Sequence, residues 1–303
     1  SMIISILSAE LVEYQMAEEE RTKMMSRLRR YLRENNVSNQ LSTRIQEQVI
    51  KRVGRARPLR QSDVDALRVL STAMRCELQF AVAGKVVLTH ALFRYVYASD
   101  PVWCERFLTE TLEMIYLQPS DDVFLPGQAA ARAYILHNGS VNYVQEPMTS
   151  PVELVTETNV PEQHWLAEAT LWADWTHVGR ATAETQCALL TVNTDLFLQA
   201  CGVHQQLLAT MHGYAVQFVN RLTASCPPHA PWPTDLEVPF TDWSDIVLSM
   251  PRALQHSISR DALHHLNAMS GTLFPSKDAT KLEQEVDQDR CILVVGNNLQ
   301  VTR

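Results

Sequence analysis

Glycine is scarce in this chain, 9 of 303 residues. So few glycines leave no room for the glycine-rich loops that cradle nucleotide phosphates. No G-x-S-x-G, phosphate-loop or H-E-x-x-H pattern occurs either. The six cysteines are scattered at 76, 104, 187, 201, 226 and 291, with no C-x-x-C pair. That is too sparse for a disulfide scaffold, and free thiols in a reducing cytosol are expected. His256 and His264 lie eight residues apart, not the four of a helical metal clamp, and with His265 they read as surface histidines. No metal site is expected. Long apolar runs are missing too, since none reaches the roughly 18 residues that a complete membrane-spanning helix needs. The opening stretch Met2–Ala9 is too short for that and lacks the basic segment of a signal peptide. With no convincing catalytic set, the expectation is a protein that is not an enzyme.

Among what is present, charge stands out first. The chain is acidic overall, at −8, with 46% hydrophobic and 20% charged residues, a composition that excludes wholesale disorder. Yet residues 21–60 carry twelve Lys and Arg against two acids, Glu34 and Glu47. Such a block suits nucleic acid, an anionic membrane surface or an acidic partner, and the plain alternative is a solvated helix face.

Pattern divides the chain into three stretches. Residues 1–100 read as helices. Met24, Leu28 and Tyr31/Leu32 recur at helical spacing, Asn35-Asn36 ends that helix, and Ser38 caps a second one carrying Leu41, Ile45, Val49 and Val53, with Gly54 after it. Stripes this narrow bury little alone and call for another domain or subunit. From Trp103-Cys104 the texture turns to short β-type runs: 114–117, 123–125, 133–136, 140–144, 152–155 and 187–192. Turn signals at Pro119-Ser120-Asp121, Pro126-Gly127, Asn138-Gly139 and Pro147 separate them. Even spacing of this kind predicts a small antiparallel barrel or jelly roll, with Asn138-Gly139 as a hairpin. Two helices follow, a short one from Thr194 and a longer one over Val203–Leu222. Prolines 227, 228, 231, 233 and 239 then mark a stiff linker. Residues 241–270 look helical, and Ile292–Val301 reads as strand, turn, strand. The fold class is α+β: an N-terminal helical linker (1–100), an antiparallel β-roll with terminal helices (101–225), and a Pro-rich linker with a C-terminal extension (226–303).

The order of these elements carries a resemblance. Gln118-Pro119-Ser120-Asp121-Asp122, Phe124-Leu125-Pro126-Gly127, Ala133–Leu136 with Asn138-Gly139-Ser140-Val141, and Leu166-Ala167-Glu168-Ala169-Thr170-Leu171 resemble successive motifs of cyclic-nucleotide-binding domains. The last resembles the phosphate-binding cassette, and Glu168 keeps the family's spacing to Cys187. Residues 9–100, with Ala91-Leu92-Phe93, resemble the linker joining pore to roll in hyperpolarisation-activated, cyclic-nucleotide-gated and ether-à-go-go-type channels. Ile3–Ala9 would be the stub of the last pore helix.

The resemblance implies a pocket for cyclic AMP or cyclic GMP. A cyclic phosphate needs backbone N–H groups and an arginine, and its ribose needs a carboxylate. The candidate pocket residues are Leu166, Ala167, Glu168, Ala169, Thr170, His177, Val178, Arg180, Phe218 and Arg221. Glu168 suits the ribose, and Ala167 replaces the family's glycine. The arginine position is His177, with Arg180 three residues on, where an odd offset along a strand faces the other way. Losing the arginine removes charged hydrogen bonds of about 1.5–3 kcal/mol each, so weak or absent nucleotide binding is expected. In ether-à-go-go-type channels a short strand after the last helix enters the pocket. The segments expected to dock here are 236–240 in the pocket and 291–295 as an added edge strand.

The resemblance therefore implies the cytoplasmic gating and assembly region of a tetrameric, voltage-gated-type cation channel, potassium-selective or non-selective. Its linker helices would self-associate, it would adjoin the pore region of the same integral membrane protein, and its basic block could meet anionic inner-leaflet lipids. No cofactor and no nucleic acid are expected. The alternatives are a soluble kinase-type regulatory subunit responsive to cyclic nucleotides, or a nucleic-acid-binding regulator.

Overall fold

The computed structural model describes residues 2–53, 61–202, 205–269, 286, 292–295 and 299–302. Contacts divide the chain into two compact units, Ser1–Leu59 and Arg60–Arg303.

The first unit is a helical hairpin of α1 (Met2–Glu34) and α2 (Asn39–Val53). Asn36 takes the left-handed conformation at φ 52, which asparagine tolerates better than most residues, and the Val37 N–H returns to the Leu32 carbonyl. Ser38 caps α2 by accepting from the Leu41 N–H. Arg29 reaches across to Gln46 at 3.0 Å. Met25 and Leu32 are buried, while Met24, Tyr31, Leu41 and Ile50 stay exposed. Leu28, Ile45 and Val49 are half-buried, so the hairpin displays part of its apolar stripe.

The second unit begins with two short 3-10 turns and then α3 (Thr72–Val87), α4 (Ala91–Ser99) and α5 (Pro101–Thr111). Ser71 caps α3 and Asp100 caps α5, where Pro101 occupies a first-turn position that needs no N–H. Eight strands follow: β1 (Leu112–Leu117), β2 (Asp122–Phe124), β3 (Arg132–Asn138), β4 (Val141–Gln145), β5 (Thr156–Val160), β6 (Trp165–Leu166), β7 (Arg180–Ala183) and β8 (Cys187–Asn193). They form two antiparallel four-stranded sheets, ordered β1-β8-β3-β6 and β2-β7-β4-β5. A 3-10 turn, Glu168–Leu171, lies between β6 and β7. After the roll come α6 (Thr194–Cys201), α7 (Gln205–Ala224), α8 (Trp243–Ser249), α9 (Arg252–Met269) and the ribbon β9 (Ile292–Val295) with β10 (Leu299–Thr302). The architecture is an antiparallel jelly roll flanked by helices, as the α+β expectation held. Among the described residues no helix is long and apolar enough to cross a membrane.

Strands β3 and β8 are buried on both faces, which follows from the two-residue period of a strand. Leu136 and Leu189 point into the roll with Phe124, Val141 and Leu166. Ile135 and Leu190, one residue away, point out into a second core shared with the helices. There Phe93, Phe107 and Phe197 interlock at centroid distances of 5.7–6.2 Å. Each such ring contributes roughly 1.5–3 kcal/mol when buried.

Several expectations change. The compact units divide at Leu59/Arg60 rather than at residue 100, because α3, α4 and α5 bury their apolar faces in the same core as the roll and α6–α9. Asn138-Gly139 is no hairpin: β3 and β4 pair with other strands, and the turn carries the chain from one sheet to the other. Gly139, at φ 104, is needed there because a Cβ would stand 2.7 Å from the Gln186 carbonyl. Residues 152–155 form no strand, and β5 starts at Thr156. β9 pairs with β10 and lies against α8 and α9, so it adds no edge strand to the roll. Gly54 and Cys291 lie outside the described residues.

Candidate functional site

The centre of the roll is occupied by the chain's own Asp235. Its side chain is fully buried. One carboxylate oxygen, Oδ1, accepts from the Trp175 indole N–H at 2.7 Å and from His177 Nδ1 at 2.8 Å. The other, Oδ2, accepts from the Tyr143 hydroxyl at 2.9 Å and from the backbone N–H groups of Val178 and Gly179 at 2.9 and 3.0 Å. A buried carboxylate persists only when such donors replace water. Five donors saturate two oxygens that offer about four lone-pair directions.

Each donor is placed by local structure. His177 stacks flat on Phe124, 3.9 Å between centroids, and its backbone is clipped to the Pro126-Gly127 turn by Gly127 N–H to His177 carbonyl and His177 N–H to Gln128 carbonyl. A carboxylate only accepts, so Nδ1 carries the proton it shares with Asp235. Gly179 lets the Tyr143 ring approach, because an added Cβ would fall within that ring. Burial, then the Asp235 charge, push the Tyr143 hydroxyl far above its usual range, so it stays a donor.

The backbone around Asp235 is pinned as well. Its carbonyl accepts from the Ala167 N–H at 2.5 Å, at the start of the 3-10 turn. Ala167 is left-handed, φ 55, which glycine would adopt without strain. Thr234 folds the tail back: its hydroxyl accepts from the Leu236 and Glu237 N–H groups, and its own N–H goes to the Glu237 carbonyl. Leu236 packs against the roll core, and Val238 is buried in the helix core.

The residues expected from sequence fall in three places. Ala167, His177 and Val178 hold Asp235. Leu166 fills the roll core, Ala169 and Phe218 fill the helix core, and the Thr170 hydroxyl donates to the Ala130 carbonyl at 2.7 Å. Arg180 and Arg221 point elsewhere. Arg180 sits on the outer face of β7, more than half exposed, 4.0 Å from Asp122, because its neighbour Ala181 faces the roll core. Arg221 clasps α7 to α8 through the Asp245 carbonyl and the Ser249 hydroxyl, at 2.8 and 2.9 Å.

Glu168 turns away from the roll toward α4 and α7. Its Oε1 receives His90 Nε2 at 3.0 Å, the Trp172 indole N–H at 3.1 Å and the Tyr214 hydroxyl at 3.2 Å. Burial pushes its carboxyl up, but the adjacent imidazole and the three donors outweigh that and hold it below its usual range. Sequence reasoning missed Asp235, Tyr143, Trp175 and His90. The available signal was the single acid in Pro233-Thr234-Asp235-Leu236, beside the segment 236–240 expected to dock.

No family model and no curated protein matches the chain. Among solved structures, it resembles a cyclic nucleotide-binding-like protein from Brucella abortus, at 22% identity and a TM-score of 0.33. The match covers 39% of this chain and 96% of that one. At that identity and score the likeness carries no argument about the site. The helices, the two four-stranded sheets, the 3-10 turn before β7 and the closing pair of helices form an antiparallel jelly roll flanked by helices.

Proposed function

We propose that this chain is the cytoplasmic gating and assembly region of a tetrameric cation channel, and that its roll is regulated by docking and release of its own tail rather than by a diffusible nucleotide. One observation carries the tail-docking part: the Asp235 carboxylate takes five donors at the centre of the roll. A carboxylate there supplies the negative charge that a cyclic phosphate would otherwise bring. The channel part rests on the resemblance of residues 9–100 to pore-to-roll linkers and on the exposed apolar residues Met24, Tyr31, Leu41 and Ile50 of α1 and α2. The twelve Lys and Arg of residues 21–60 suit a position under an anionic leaflet. The role is regulatory, not catalytic.

Asp235→Asn tests the tail. It removes the charge with little change of shape and places an amide NH2 opposite a cluster of donors. Hydrogen exchange at the backbone amides of Ala167, Val178 and Gly179 is expected to accelerate at least about tenfold, as each 1.4 kcal/mol of lost local stability gives a factor of ten. The parent chain is expected to give no calorimetric signal with millimolar cyclic AMP or cyclic GMP. Unchanged exchange in the variant, or tight nucleotide binding by the parent, refutes the tail reading.

A further inference from the structure

A cavity of about 350 Å³ lies on the helix side of Glu168. Its walls come from the start of α4, residues 163–165, Tyr214 of α7, and the tail residues Leu236 and Thr241–Trp243. Three large rings line it, Trp165, Tyr214 and Trp243, together with two carboxylates, Glu168 and Asp242. No Lys or Arg is among its lining residues.

The two carboxylates are under-used. Among the described residues all three donors on Glu168 go to Oε1 and none to Oε2, and the side chain keeps 22% of its exposure. Asp242 stands at the N-cap of α8, yet its side chain caps nothing. Trp165 and Trp243 are more than nine-tenths buried, and neither indole N–H has a partner among the described residues. An anion would meet two negative charges here, and the two imidazoles on the wall are already engaged, His90 with Glu168 Oε1 and His164 with the Leu236 carbonyl. A cation would meet both carboxylates and a wall of aromatic rings, a combination that suits ammonium groups. A hydroxyl on the same ligand could serve as acceptor for an indole N–H.

We propose that this cavity binds a compact organic cation free in solution, an ammonium head carrying a hydroxyl, as in choline. The site goes beyond the tail reading and stands whether or not Asp235 regulates the roll. Because Leu236 and residues 241–243 form one wall, an occupied cavity also favours the docked tail.

Calorimetry on the full chain tests this with choline and with its uncharged carbon isostere, neopentyl carbinol. Choline is expected to give a saturable one-to-one signal with a dissociation constant below about 1 mM, and the isostere none. Asp242→Asn, at an exposed position, and Glu168→Gln, which preserves shape, are each expected to weaken choline about tenfold, the scale of one charged contact. Equal binding of the isostere, parent-like binding by both variants, or no saturable binding of choline overturns the site. The hydrogen-exchange result at Asp235 is read separately, so the two ideas fail independently.

Discussion

Asp235 and Glu168 are two carboxylates flanking the same 3-10 turn, and they are treated differently. Asp235 engages both oxygens, with donors from four residues of β4 and the 175–179 segment plus the stacked His177 ring. Glu168 concentrates three donors on one oxygen and lines a cavity. The first arrangement suits a structural pin, because every polar group is satisfied only when the acid is in place. The second suits a receptive surface, because the carboxylate is oriented without being used up. The contrast teaches that position in a familiar cassette does not assign a role; the count of donors per oxygen does.

The largest expected effect comes from truncating the pin. Asp235→Ala strands two side-chain N–H donors, a hydroxyl and two backbone N–H groups in the interior. A loss of about 3–5 kcal/mol is expected, as for breaking a buried ion pair from one side. Glu168→Gln, by contrast, is expected to cost about 1–2 kcal/mol, since an amide oxygen still accepts. Chemical denaturation of both variants measures the difference, and equal losses would dissolve the comparison.

An intermediate effect is expected on the alkaline side. Burial, reinforced by Asp235 and Glu168 respectively, pushes Tyr143 and Tyr214 well above their usual 10.0. Burial and Asp261 do the same to Tyr95. In the unfolded chain these phenols lose protons near pH 10, while in the folded chain they keep them. Unfolding then releases protons, so stability falls as pH rises through about 10. Melting temperatures measured from pH 8 to 11 are expected to decline steeply at the top of that range, and less steeply in Tyr143→Phe. A flat profile would place these tyrosines in water.

The smallest effect belongs to Arg180→Ala. Its guanidinium is solvated and only 4.0 Å from an exposed Asp122, so a change within about 0.5 kcal/mol is expected by denaturant titration. A large loss would mean that Arg180 reaches the roll interior after all.

The roll was legible in the sequence because its signals are local, turn residues between short apolar runs, just as the Ser38 cap made α2 legible in the hairpin. Its connections were less so. Asn138-Gly139 has the chemistry of a tight turn, but which strands pair is decided by partners distant in sequence, here β8 with β3 and β7 with β4. His177 was legible as the residue in the arginine's place, and segment 236–240 as a candidate occupant. Asp235 was not. One of two acids between Pro233 and Pro239 reads as part of a solvated linker, and its burial depends on Tyr143, Trp175 and His177, which lie 92, 60 and 58 residues away. Nor does the sequence show that α3–α5 pack in the second core against the outward faces of β3 and β8, because their apolar faces fit a helical partner equally well.

The short path from α7 to Asp235 has a consequence for any outside competitor. Ten residues, 225–234, separate the end of α7 at Ala224 from the docked acid. A tether of that length keeps its occupant at an effective concentration in the millimolar range. A free anion of equal intrinsic affinity would have to reach that concentration merely to share the site evenly. Selection therefore works before recognition does: free anions at micromolar levels are screened out by the tether. On the proposed tail regulation, the roll would answer to whatever force, chain or subunit pulls residues 225–242 aside.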